Sequence, residues 1–282
     1  MKLLLISLLA LNVFTGIRVL ASADSSPRIV IISDIDDTIK ISHVLDKSEA
    51  LRNAFDYEHP FKVMSNLYQE FLKANPQTHI AYVSNAPDFL MQKSHAKFLN
   101  HNSFPTGDLM LSESLDSENH KIQAIHFQIE KYKPDVLIML GDNGEKDINV
   151  YDQIQREYSA TGLKMLTYIR IDYSSQQSQI QPKQGQKKFV TASEVALDLL
   201  RQGYLSQSSV LKLVDQNLTF KISLKSIFRN IFDTGFSIGL PKWVDCHEHK
   251  ANLTDLFELS PKIKSLSEKI TERCALIPRL DK

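Results

Sequence analysis

Four short runs rich in β-branched and other apolar residues constrain this chain more than any other feature of its sequence. They read RIVIISD (28–34), THIAYVSN (78–85), DVLIMLGD (135–142) and LKMLTYIRID (163–172), and each passes from apolar residues into polar ones. A continuous apolar run of this length suits a strand buried on both faces. Between the runs lie stretches with helical spacing. Residues 59–74 carry Phe61, Met64, Leu67, Tyr68, Phe71 and Leu72; residues 119–132 carry Ile122, Ile125, Ile129 and Tyr132; and residues 148–162 end in Gly162, a natural helix stop. Strands alternating with helices predict βαβ units, hence an α/β fold with a Rossmann-like parallel sheet and helices on both faces. Ligands bind such sheets beyond the carboxyl ends of the strands. Here those ends read SDIDDT, SNAP and GDNGEKD.

The first of these ends gathers Asp34, Asp36 and Asp37. Such a crowd of carboxylates is costly unless a cation binds or one carboxyl keeps a proton. An aspartate just past a strand can attack phosphorus, and a second carboxyl two residues on can protonate the departing oxygen. Two carboxylates facing a phosphate dianion call for a hard divalent cation, Mg²⁺. By itself Asp-x-Asp-x-Thr (Asp34, Asp36, Thr38) also fits a helix-capping acidic turn. Further along, Ser84 offers a hydroxyl beside the Asn85 backbone N–H, and Lys121 sits near the start of a helix, able to neutralise phosphate and nucleophile. Asp142 and Asp147 lie in a turn that Gly141 and Gly144 are expected to allow.

This ordered set resembles the four motifs of the haloacid dehalogenase-like phosphatase superfamily. DIDDTIK (34–40), YVSNAP (82–87), GDNGEKDINVY (141–151) and YIRID (168–172) look more specifically like the catalytic domain of the fungal actin-patch phosphatidate phosphatase and its bacterial relatives. The likeness covers roughly residues 27–205. It implies Mg²⁺-dependent phosphomonoester hydrolysis through an aspartyl-phosphate. On the matching positions, Asp34 would be nucleophile and Asp36 general acid/base. Asp34, Asp36 (through its carbonyl) and Asp142 would hold the metal, with Asp147 acting through water. Thr38, Ser84, Asn85 and Lys121 would bind the phosphoryl group. Most of the superfamily has Gly where this chain has Asp37, whose role the resemblance does not supply.

Spacing bears on the substrate. Superfamily members that choose small metabolites usually close the site with a large inserted cap. Residues 41–60 leave room for a small helical flap at most, so the cap is small or absent. An open site admits phosphate on something bulky, and phosphatidate at a membrane surface is the expected substrate. Val44, Leu45, Leu51, Phe55 and Tyr57 on the flap could touch acyl chains or simply pack on the core. A phosphoprotein, nucleotide or sugar-phosphate phosphatase with the same mechanism stays open. So does a non-catalytic secreted binding protein on a phosphatase fold.

The formal net charge is zero, which gives no broad electrostatic grip on nucleic acid. Residues 1–23 read as a cleaved signal peptide: Lys2, an apolar stretch, then Ala21-Ser22-Ala23. The expected location is secreted or periplasmic. Cys246 and Cys274 either form one disulfide or stay free thiols. Residues 173–188 read as a mobile loop, and Thr191 to Glu194 form a capping box opening the next helix. Residues 206–282 read as a mostly helical C-terminal extension of open role. Cys246-His247-Glu248-His249 has metal-ligand residue types but no complete second pair.

Overall fold

A computed structural model of the 282-residue chain describes residues 26–113, 119–178, 180–219 and 238–276. The expected signal peptide lies outside these residues. β1 (Ile29–Ser33), β2 (His79–Pro87), β3 (Asp108–Ser112), β4 (Val136–Asp142), β5 (Lys164–Arg170) and β6 (Gln186–Phe189) form one sheet in the order 3-2-1-4-5-6, with every neighbour parallel. The strand order reverses between β1 and β4, and open parallel sheets bind ligands in the crevice at such a point. β1 and β4 are buried along their whole length, as their continuous apolar runs require.

Among the described residues the α-helices are α1 (Lys47–Asn53), α2 (Met64–Ala74), α3 (Asp88–His101), α4 (His120–Tyr132), α5 (Asp147–Glu157), α6 (Ala192–Arg201), α7 (Gln207–Leu218) and α8 (Pro261–Cys274). α4 and α5 pack on one another and on the sheet, whereas α2 packs with α6 and α7. Tyr68 of α2 meets Phe104 at 5.9 Å and Phe98 of α3 meets the same ring at 5.6 Å, which joins α2 to α3. Among the described residues, no helix is long and apolar enough to cross a membrane.

Three elements carry no clear sequence signal. β3 and β6 are the sheet edges, where one flank needs no apolar partner; β6 reads QKKF, with Gln186 and Phe189 inward. α3 mixes buried His95 with exposed Phe89 and Leu90, so its periodicity is weak. The loop reading of residues 173–188 fails at both ends. Tyr173, Ser174 and Ser178 are buried and residues 186–189 join the sheet. α5 stops at Glu157, five residues before Gly162, which takes φ +81° in the following turn.

The C-terminal region packs on the sheet domain. Val210, Leu213 and Val214 of α7 and Ile263, Leu266 and Ile270 of α8 belong to the same apolar cluster as the sheet. Cys246 and Cys274 form a disulfide that ties the end of α8 to the preceding loop. His249 bonds Glu194 at 2.6 Å, so this stretch is structural rather than a metal centre.

Candidate active site

Asp34 lies one residue beyond β1, and its N–H continues the ladder to the Leu140 carbonyl at 2.9 Å. Ser33 pairs with Tyr82 on one side and Leu140 on the other. This register sets Ser84 and Asp142 at the same carboxyl edge, on the two strands that flank Asp34. All three residues are buried.

The Asp34 carboxylate receives Thr38 Oγ1 at 2.8 Å and Lys121 Nζ at 2.7 Å. Lys121, the second residue of α4, also donates to Asp147 at the start of α5. Oxygens of Asp34, Asp142 and Asp147 lie within 4.8 Å of one another. Burial, opposed by Lys121 and reinforced by Asp147, lifts the Asp34 pKa well above the usual carboxylate range. Burial, then Asp147 and Asp34, do the same to Asp142. Burial alone would lower the Lys121 pKa, but Asp147 and Asp34 outweigh it and raise it. Asp142 Oδ2 is buried with no hydrogen-bond partner. One ammonium against three buried carboxylates, with a spare oxygen aimed inward, fits a hard divalent cation.

Asp36 stands outside this cluster. Its carboxylate accepts Ser42 Oγ at 2.5 Å and lies 3.6 Å from Lys40 Nζ and 3.4 Å from His95 Nε2. Burial raises its pKa, but Lys40, His95 and the Ser42 hydroxyl together bring it below the ordinary value. Asp147 lies in the carboxylate cluster itself. Ser84 Oγ accepts the Ala86 N–H at 3.1 Å, and Asn85 Oδ1 is buried without a partner.

The glycines act by space rather than by turn geometry, because neither Gly141 nor Gly144 has positive φ. A Cβ on Gly141 would stand 2.7 Å from the Asp147 Cβ, and one on Gly144 would stand 2.9 Å from Asp142 Oδ1. Side chains there would push the carboxylates out of place.

The structure gives Asp37 a role. It sits at φ +56°, where most residues are strained. Its carboxylate accepts the N–H groups of Ser42 at 2.8 Å, His43 at 2.7 Å and Val44 at 2.7 Å, and the Tyr173 hydroxyl at 2.6 Å. It thereby pins the base of the flap to the end of β5. Burial pushes its pKa up, against the pull of these bonds.

Sequence reasoning missed the supports around this turn. Arg170 is buried between the rings of Phe61 (4.0 Å) and Phe189 (4.6 Å) and donates to the Thr38 carbonyl at 3.0 Å. Asn143 accepts the N–H groups of Asp172 (3.0 Å) and Tyr173 (3.1 Å). Arg170 lies inside YIRID and Asn143 inside GDNGEKD, so both were in view, but only their partners reveal what they do. Trp243, from the C-terminal region, stacks on His43 of the flap at 4.2 Å and on Tyr173 at 5.3 Å.

The family profile described as phosphatidate phosphatase APP1, catalytic domain, matches residues 29–170. Over 135 residues the chain is 31% identical to phosphatidate phosphatase APP1 of Saccharomyces cerevisiae, an alignment covering 43% of this chain and 22% of the yeast protein. The chain thus spans well under two thirds of that relative. No solved structure matches it significantly.

Proposed function

The chain belongs to the phosphatidate phosphatase APP1 catalytic-domain family, and on that premise we propose that it is a Mg²⁺-dependent phosphomonoester hydrolase acting on a lipid phosphate, phosphatidate above all. One observation carries the reading: a buried Asp34 held between Thr38 and Lys121, beside Asp142 and Asp147.

In the proposed mechanism an Asp34 oxygen forms a bond to phosphorus while the ester P–O bond breaks, giving an aspartyl-phosphate. Asp36 passes a proton to the departing oxygen. It is held ionised in the structure, and an arriving phosphate dianion raises its pKa by like-charge repulsion, favouring the protonated form. A water then attacks phosphorus, Asp36 takes its proton, and Asp34 is released with inorganic phosphate. Thr38 and Lys121 orient the attacking carboxylate, and Lys121 offsets charge on the phosphoryl oxygens. The Ser84 hydroxyl and the Asn85 backbone are suited to hold those oxygens. Asp34, Asp142, Asp147 and the Asp36 carbonyl would hold the ion, which when bound neutralises charge as it builds on the phosphoryl group.

The substrate reading is supported by the yeast relative's name and by the absence of a large cap between β1 and β2. Export belongs to the same proposal. It is supported by the apolar leader of residues 1–23 and by the Cys246–Cys274 disulfide, which persists in oxidising compartments.

The test is phosphate release from an aryl phosphate and from phosphatidate in mixed micelles, with Mg²⁺ and after EDTA. Wild type is expected to hydrolyse both and to stop when metal is removed. Asp34→Asn should lower turnover about 10⁴-fold or more with the fold intact. Undiminished turnover in that variant would refute the mechanism. Release from the aryl ester but never from the lipid would point to another phosphomonoester.

A further inference from the structure

Exposed large apolar side chains are unevenly spread over this molecule. Among the described residues there are eight, and five of them sit on two adjoining segments: Leu45, Leu51 and Phe55 on the flap, and Phe89 and Leu90 in the first turn of α3. Leu51 is 73% exposed and Phe89 75%, values that no packing role explains. Large apolar groups gathered on one surface mark a contact that the isolated chain does not satisfy.

These segments frame the proposed catalytic pocket. Two backbone bonds, Ile41 N–H to the His59 carbonyl and Phe61 N–H to the Ile39 carbonyl, close a stem from which the flap rises directly after Asp34 and Thr38. α3 begins as β2 ends, a few residues past Ser84. The two segments also touch. Ser94 Oγ of α3 donates to the Ala54 carbonyl at 2.9 Å, Asn102 Nδ2 donates to the Tyr57 carbonyl at 2.7 Å, and Lys97 Nζ lies 3.5 Å over the Tyr57 ring. Leu90 lies one turn before Ser94 along the same stripe of α3, toward the pocket.

The charge around this rim is suited to one kind of partner. Lys47, Arg52, Lys93 and Lys97 are exposed. The nearby carboxylates are turned to local work. Asp46 caps α1, Glu49 faces His43 and Arg52, and Asp56 bonds His59. Glu58 on the flap and Asp88 in the first turn of α3 are half-buried, as are the other three, so the exposed charges of these two segments are all cationic. Apolar tips with cations beside them match an anionic bilayer, where the tips enter the acyl boundary and the cations meet the headgroups.

We propose that the flap and the first turn of α3 form a docking surface that seats the pocket against an anionic lipid bilayer. This rests on the lipid-phosphate reading of the site, because it brings a headgroup to Asp34 without extracting the lipid. His43, stacked on Trp243, and Asp37, bonded to the flap backbone, hold the rim to the body of the protein. The tips are therefore presented rather than tucked in.

The experiment is sedimentation of the full chain with phosphatidylcholine vesicles, with and without phosphatidylglycerol, alongside hydrolysis of a soluble aryl phosphate. Wild type should bind the anionic vesicles and lose binding as salt rises. The triple variant Leu51→Ser, Phe55→Ser, Phe89→Ser should bind them at least about tenfold more weakly, while its aryl phosphate turnover stays within about twofold. Wild-type turnover without vesicle binding would overturn the docking surface and leave the phosphatase reading intact. Vesicle binding through the rim without turnover would do the reverse. Equal binding to neutral and anionic vesicles would overturn it as well. So would unchanged binding by the variant, whether or not the substitutions dissociate a dimer of this chain.

Discussion

Asp37 and Gly141 show how single positions set the geometry of the pocket. Asp37 accepts four hydrogen bonds from a left-handed backbone position. Glycine there would satisfy the backbone but leave the flap N–H groups of Ser42, His43 and Val44 without their acceptor. Gly141 matters for the opposite reason: it keeps space empty. Gly141→Ala would press a methyl group against Asp147, and the carboxylate would have to leave Lys121 or the strand would have to shift. We expect Gly141→Ala to cost about 1–3 kcal/mol of stability, as overpacked sites do. It should also reduce aryl phosphate turnover more than any drop in the folded fraction explains. Urea unfolding measured beside steady-state kinetics checks both, and wild-type behaviour in each would refute the packing argument.

At the scale of elements, the carboxylate cluster is made by strand ends and helix starts meeting. The turn directly after β1 supplies Asp34, β4 supplies Asp142, α4 supplies Lys121 and α5 supplies Asp147. Their order in the sequence was legible because each is tied to a strand or helix that shows its own periodicity. What escaped was the reach of side chains between elements, such as Arg170 to the Thr38 carbonyl or Ser42 to Asp36. These contacts leave no period. A second joint of this kind lies between α2 and α7, where Glu70 bonds Lys212 at 2.8 Å and Lys73 at 2.9 Å. The bond from Lys212, then that from Lys73, brings its pKa down from 4.5 to about 2. A depressed carboxyl contributes stability above its unfolded value and loses it as pH falls through the folded one. Both lysines lie more than half in solvent, so screening limits the contribution to about 1 kcal/mol. Glu70→Gln should be destabilised by that amount at neutral pH. The gap from wild type should close as pH falls from 4.5 towards about 2, read as the difference in urea midpoint.

For the whole molecule, the C-terminal region is part of the body. α7 and α8 share the core with the sheet, and Trp243 reaches the flap beside the pocket. The disulfide between Cys246 and Cys274 closes a loop with a sequence separation of 28 and holds Trp243 and α8 in one unit. A Cys246→Ser, Cys274→Ser double variant should lose about 3–4 kcal/mol of stability by the loop-entropy estimate. Equal urea midpoints for the variant and the oxidised wild type would show that packing alone suffices. The sequence by itself determined the parallel sheet, the gathering of carboxylates at its carboxyl edge and the order of the acidic motifs. Apolar periodicity and strand-end polarity are local properties that a linear reading can detect. Only the tertiary structure decided that Asp36 faces His95 and Lys40 rather than the carboxylate cluster, that Asp37 anchors the flap, and that Leu51 and Phe89 stay bare. Those outcomes depend on which distant groups compete for the same buried space, and that competition is settled only when the chain closes on itself.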